Sequence, residues 1–305
     1  MSLARVSRLF GIAVLTALVA GCATLGGGGG EDTSAQPIRK RTQTPGYREI
    51  SARYNARVAK LDRVAAQADL AVTRPDENGE MRSDQIEGYM QFRRPCSMNL
   101  RIDKVGSTLF VMGSNDERFW WFDVAEQNRG WYGTHAKARR EVVERFGVPV
   151  QPADLAELLG IVPLDPTAPA KVSWTDDGAR VRVVLPAFRG VKRLELDPVT
   201  FEPARIELVD EFGDLAVAAD LSRYVVVPVR GNTIAKPRAA SVFEVEIPAQ
   251  RTRMTIRLSG TENPAERQKD VNFDFETLVE RYGIDPLENL DEWVPRGAAA
   301  GEKQP

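Results

Sequence analysis

Met254, Ile256 and Leu258 alternate with Arg253, Thr255 and Arg257, and this period of two runs through most of the chain. Ile86, Gly88, Met90 and Phe92 alternate with Glu87, Tyr89 and Gln91; Met98, Leu100 and Ile102 alternate with Asn99, Arg101 and Asp103. Val181-Val183-Leu185, Leu194-Leu196, Ile206-Leu208 and Val217-Ala219-Leu221 repeat the pattern, while 109–112 and 119–124 are apolar on both faces. Successive side chains of a strand point to opposite faces, so each run reads as a strand with one apolar side. Turn residues separate the runs at 75–79, Asp176-Asp177-Gly178, Asp197-Pro198 and Glu211-Phe212-Gly213-Asp214. About ten strands joined mostly by short turns imply an antiparallel meander. A long sheet with one apolar face must close on itself or be covered.

Two helical segments are available as covers. Over 47–66, Tyr47, Ile50, Tyr54, Leu61 and Ala65 fall at helical spacing, with Arg48, Arg53, Arg57 and Arg63 among the polar positions. The strand period is read from Ala68 onward. A second helix is expected over 152–159, with Pro152 near its first turn and Gly160 as its stop. The expected architecture is mainly β with a helical lid (α+β): a curved antiparallel sheet, or incomplete β-barrel, with helices on its concave side.

The N-terminus carries an address. Arg5 and Arg8 precede an uncharged run over 9–19, of signal-peptide length and too short to span a bilayer. Val19-Ala20-Gly21-Cys22 follows directly. The order resembles the bacterial lipobox, whose cysteine is lipidated on sulfur and becomes the first residue of the mature protein. The plain alternative is an ordinary signal peptide that happens to contain a cysteine. Lipidation at Cys22 implies a membrane anchor without a membrane span, since buried acyl carbons contribute about 0.8 kcal/mol per CH₂ and two or more chains hold firmly. By resemblance to the Gram-negative sorting rule, Ala23 in place of Asp implies the outer membrane, facing the periplasm. The domain boundaries follow: a signal peptide over 1–21, a lipidated N-terminus and Gly-rich tether over 22–44, a β-domain over 45–296 and a tail over 297–305. Gly26, Gly27, Gly28, Gly29 and Gly30 with the polar residues after them have little to bury.

Composition removes several classes of function. A formal net charge of −2 leaves no basic excess to neutralise phosphates, so nucleic acid is not an expected partner. His135 is the sole histidine, which rules out a multi-histidine metal site. With Cys22 acylated, Cys96 has no partner in the chain and reads as a small apolar residue, so the hydrophobic core alone must hold the fold. No G-x-S-x-G elbow, phosphate loop or C-x-x-C pair occurs. Asp176/Asp177 falls in a turn and Glu244/Glu246 alternates outward, so neither reads as an acid–base pair. The expectation is a non-enzymatic protein with no catalytic residue, cofactor or metal. Arg93-Arg94-Pro95 and the 137–140 cluster are basic and read either as solvated loops or as contacts to anionic headgroups.

Six aromatic rings lie close together: Phe119, Trp120, Trp121, Phe122, Trp131 and Tyr132. Alternation sends Phe119 and Trp121 to one face, Trp120 and Phe122 to the other. The second set needs a helix, a partner or a lipid to cover it. Core packing, a cavity wall and a partner contact all fit the pattern.

The order of elements resembles the LolA/LolB-like superfamily, nearest to its uncharacterised envelope lipoproteins. The resemblance is carried by a helix leading into Ala68-Asp69-Leu70-Ala71-Val72, a strand ending Phe92-Arg93-Arg94-Pro95, and Met98-Asn99-Leu100-Arg101-Ile102. Thr108-Leu109-Phe110-Val111-Met112 before the aromatic run, the 152–160 helix followed by Ile161-Val162-Pro163-Leu164, and Phe273-Asp274-Phe275 as a C-terminal edge complete it. The resemblance implies an incomplete β-barrel that binds a lipid or acyl chain for carriage or insertion. Gly88, Met90, Phe92, Leu100, Trp121, Met254 and Ile256 are the expected cavity lining. The alternative is a structural or protein-interaction module of the envelope with a filled interior. The partners implied are the membrane through the lipid, a lipid or acyl chain, or another envelope protein.

Overall fold

Two sequential meanders stitched along their first and last strands make one sheet. The computed structural model describes residues 43–292 apart from 77, 105, 138–151, 188–189 and 233. The first meander is β1 (Arg63–Pro75), β2 (Met81–Arg93), β3 (Ser97–Lys104), β4 (Ser107–Ser114), β5 (Arg118–Asp123) and β6 (Arg129–Thr134). The second is β7 (Lys171–Trp174), β8 (Val181–Pro186), β9 (Val191–Leu196), β10 (Pro203–Val209), β11 (Leu215–Val226), β12 (Arg238–Ile247) and β13 (Thr252–Glu262). β1 pairs antiparallel with β13, and a short β14 (Leu287–Asn289) adds parallel to β6. Among the described residues the sheet order is β14-β6-β5-β4-β3-β2-β1-β13-β12-β11-β10-β9-β8-β7, so β14 and β7 are its edges and the barrel is incomplete. Fourteen strands stand among the described residues where alternation counted about ten. β7 and β14, with four and three residues, are too short to display a period of two.

Register pairs align the inward residues into rows. Val172, Val183, Leu194, Ile206, Ala219, Val245, Met254 and Val72 face one another across eight strands. Ala66, Met90, Leu100, Met112, Trp121 and Trp131 do the same across the first meander. On the outer face the second meander carries alternating charge instead. Arg182 pairs with Glu195 at 2.9 Å, Arg205 with Glu207 at 2.9 Å and with Asp220 at 2.7 Å.

The first helix, α1 (Tyr47–Val58), is shorter than its sequence period suggested. Leu61 lies in the connection, and Ala65 belongs to β1. An alanine-rich run fits either state, and pairing with β2 and β13 on both sides decides for strand. The second helix, α2 (Pro152–Leu158), ends as expected at Gly160, which has φ +67° and donates to the Glu157 carbonyl at 3.1 Å. A Cβ there would sit 2.7 Å from Pro203, so both conformation and space call for glycine. The 160–165 segment is strapped to α1. Tyr47 Oη donates to the Asp165 carbonyl at 2.5 Å, and the Asn55 amide exchanges two hydrogen bonds with Leu164 at 2.8 and 2.7 Å. Ile50, Tyr54 and Val58 of α1 and Ala156 and Leu158 of α2 join the inward face of the sheet in one core.

A second, smaller core lies on the other side of the first meander. Val111, Trp120 and Phe122 point outward and are covered by Phe275 and Leu278 of α3 (Phe275–Tyr282), together with Ile284. The Asp274 carboxylate caps α3 by accepting from the Thr277 amide at 2.8 Å. Phe273-Asp274-Phe275, expected as a C-terminal edge, is the end of a 3₁₀ turn (Asp270–Phe273), an N-cap and a first helical residue. The capping signal outweighs the local apolar alternation because Phe275 gains a partner in Trp120, with ring centroids 5.6 Å apart. The C-terminal edge is β14.

Candidate functional site

The seven residues expected to line a cavity all lie on the inward face, but they divide into two sets. Met90, Phe92, Leu100 and Trp121 are buried in the main core, among α1, α2 and the facing strands. Gly88 lies on the same face and is buried, yet a Cβ there would stand 2.6 Å from the Arg101 carbonyl oxygen. It marks the close approach of β2 to β3 and offers no wall of its own. Met254 and Ile256 are only half-buried.

These two do not stand alone. Ile256 faces Leu70 on β1, which faces Ile86 on β2; Met254 faces Val72. Val72, Ile86, Met254 and Ile256 are all partly exposed while packing against the main core. They form an apolar strip across β2, β1 and β13, and Phe110 of β4, also half-buried, extends the inward face beyond Ile102. Asp84 faces Val72 at the border of the strip, and Arg74 faces Arg82 one step beyond it, where Arg82 pairs with Asp76 at 2.8 Å. The concavity is therefore packed at the α1 end and apolar but partly open at the other.

One inward charge of the second meander is buried. Lys192 precedes Leu194 and Leu196 at alternate positions and must share their face. It is 8% exposed, and its ammonium lies 2.5 Å from the Glu157 carboxylate of α2.

The remaining candidates have structural partners. Arg94 turns inward and donates to the Val58 and Ile161 carbonyls, and burial lowers its pKa from the ordinary value. Arg93 pairs with Asp270 and lies over the Phe273 ring at 4.8 Å. The Arg93-Arg94-Pro95 cluster is thus neither a solvated loop nor a free basic patch; the open carbonyls at the end of α1 draw one guanidinium in. Lys137 is exposed, and the rest of the 137–140 cluster lies outside the described residues. His135 Nε2 donates to the Asn115 carbonyl at 2.8 Å, and its ring lies 5.8 Å from Phe119. Cys96 is half-buried beside Asn115 and Asp116; burial and the Asp116 carboxylate push its thiol up to about 11, so it stays protonated at neutral pH. Asp177 accepts from Thr175 Oγ1 at 2.5 Å within the β7–β8 turn, and Glu246 reaches Arg253 at 3.7 Å on the outer face. Among the described residues no group of three or more metal-binding side chains converges. No helix among them is long and apolar enough to cross a membrane. Cys22 and the tether lie outside the described residues.

No protein-family model and no curated protein matches the chain. Solved structures do. A DUF1329 family protein from Desulfovibrio piger superposes with a TM-score of 0.51 at 13% identity, covering 76% of this chain and 97% of that one. The two share a fold. A LolA superfamily protein from Nitrosomonas europaea gives a TM-score of 0.49 at 12% identity, over 77% of this chain and 99% of that one. The incomplete β-barrel expected from the sequence is the fold found here.

Proposed function

We propose that this protein is a non-enzymatic envelope lipoprotein that holds an acyl chain or lipid in the open half of its concavity. The observation that carries this reading is the partly exposed strip of Val72, Ile86, Met254 and Ile256, continuous with the buried core. Apolar side chains left half-open on a concave face are what an acyl chain would complete, at about 25 cal/mol per Å² of surface it covers. Anchoring at Cys22, proposed from the lipobox resemblance, would present that concavity at a membrane surface, facing the periplasm from the outer membrane. The packed side chains of Met90, Phe92, Leu100 and Trp121 favour the second reading, a structural or interaction module, at the α1 end.

Titration separates the two. A chain starting at Thr44 should bind a fluorescent fatty acid at one saturable site. Ile256→Asp, which puts a carboxylate into the strip, should weaken binding at least about tenfold, whereas Thr255→Asp on the opposite face should leave it within about twofold. Absence of saturable binding removes the carrier reading and leaves the module. The anchor is tested independently. Cys22→Ala should abolish palmitate incorporation and move the processed protein from the membrane to the soluble envelope fraction; unchanged labelling would place the lipid elsewhere.

A further inference from the structure

Lys192 is the one charged residue among those described that is buried below a tenth of its surface. Its register neighbours on the inward face are Leu185 of β8 and Leu208 of β10, both buried. A lysine in such a row adds little stability over an apolar residue of similar volume, because desolvation offsets much of the ion pair's attraction. Its counter-ion is also unequally held. The Lys192 side chain is 11% exposed, while that of Glu157 is 33% exposed, on a helix that ends just after it at Leu158. Glu157 can turn to water at small cost; Lys192 cannot, and would keep its demand for an anion.

We propose that Lys192 seats the acidic head of an amphiphile, a carboxylate or phosphate monoester, and that Glu157 occupies this seat when no ligand is bound. The inference rests on the reading of the concavity as an acyl-binding site and specifies its ligand class: an anionic lipid in preference to a neutral one. The geometry suits the chain as well as the head. β13 lies four strands from β9. At the usual strand spacing of ~4.8 Å, Met254 is about 19 Å from Lys192 along the sheet, the reach of a long acyl chain. The intervening inward residues, including Leu208, Val217 and Val245, are apolar and buried, so a chain would reach Lys192 by parting that packing as the link to α2 opens. Exchange of Glu157 for the ligand's head would also release the Lys192 link between α2 and the sheet, so entry of the head and loosening of the lid are one event.

The test uses the full chain carrying Cys22→Ala, so that it can be handled without detergent, and a neutral fluorescent probe that palmitate and hexadecanol displace. Palmitate should displace the probe at about tenfold lower concentration than hexadecanol, the worth of one charge-assisted hydrogen bond in a dry site. Lys192→Met should bring the two within about twofold, and Lys192→Arg should keep the preference. Glu157→Gln should improve palmitate displacement by removing the competing carboxylate. Lys192→Gln replaces the Met variant if the latter fails to fold. Equal displacement by palmitate and hexadecanol in the parent chain, or a preference that survives Lys192→Met, overturns the assignment while leaving the acyl-binding reading intact. Failure of the probe and both amphiphiles to bind removes that reading and this inference with it. Competition by millimolar inorganic phosphate against palmitate but not against hexadecanol would identify a free anion, not a lipid head, as the natural occupant, and would overturn the lipid assignment.

Discussion

Trp120→Ala should destabilise the protein by about 3–5 kcal/mol, read as a lowered urea midpoint with little change in slope. Trp120 is fully buried on the outer face of β5, where sheet geometry alone would leave it wet. Its indole lies against Phe275 and, with Phe122 and Leu278, makes the apolar part of the contact that holds α3 to the sheet, beside the Arg118–Glu276 pair at 3.0 Å. Truncation leaves a cavity between two rigid layers that cannot collapse onto each other, so both the transfer loss and the cavity cost are incurred. Loss of α3 also uncovers Phe122, and binding of a hydrophobic dye should rise in the variant under native conditions. A change below about 1 kcal/mol would mean that α3 docks without the indole and that the second core is not a cooperative part of the fold.

Gly113→Val should cost about 2–3 kcal/mol, although the substitution adds apolar volume and β-propensity. Gly113 faces Trp120 across β4 and β5, and the indole folds over it so closely that a Cβ would stand 2.6 Å from the ring. Strand geometry fixes both backbones, so the ring must leave its place and α3 must follow. The pair therefore makes a coupled prediction. In Gly113→Val/Trp120→Ala the valine enters the space the indole vacates, and the double variant should be more stable than the sum of the two losses by about 1 kcal/mol or more. Strict additivity in a double-mutant cycle would show that the two sites do not touch.

The second core shows where local pattern ends. Alternation places Trp120 and Phe122 opposite Phe119 and Trp121, and the structure keeps that division: one pair in the main core, the other under α3. Nothing in the run itself states what covers the second pair. The cover comes from residues more than 150 positions later, and the segment that provides it, Phe273-Asp274-Phe275, carries a strand-like alternation that a cap and a tertiary contact overrule. The boundary of α1 behaves similarly. Ala65, Ala66 and Ala68 suit helix or strand equally, and only pairing with β2 and β13 decides.

The sequence by itself determined which face of each strand is apolar, because a period of two survives any arrangement of neighbours. It thereby determined that the chain builds one curved sheet with an inward side, that Gly160 ends the second helix, and that Lys192 points where leucines point. Only the tertiary structure decided how much of that inward side is filled. Met90, Phe92, Leu100 and Trp121 have the same alternation as Met254 and Ile256, yet the first four are buried among α1, α2 and the facing strands while the last two stay half-open. The difference is not in the strands. It arises because α1 and the 160–165 segment, fixed to each other by Tyr47 and Asn55, are positioned by contacts more than a hundred residues apart in sequence, and burial depends on what lies opposite a side chain more than on its own pattern.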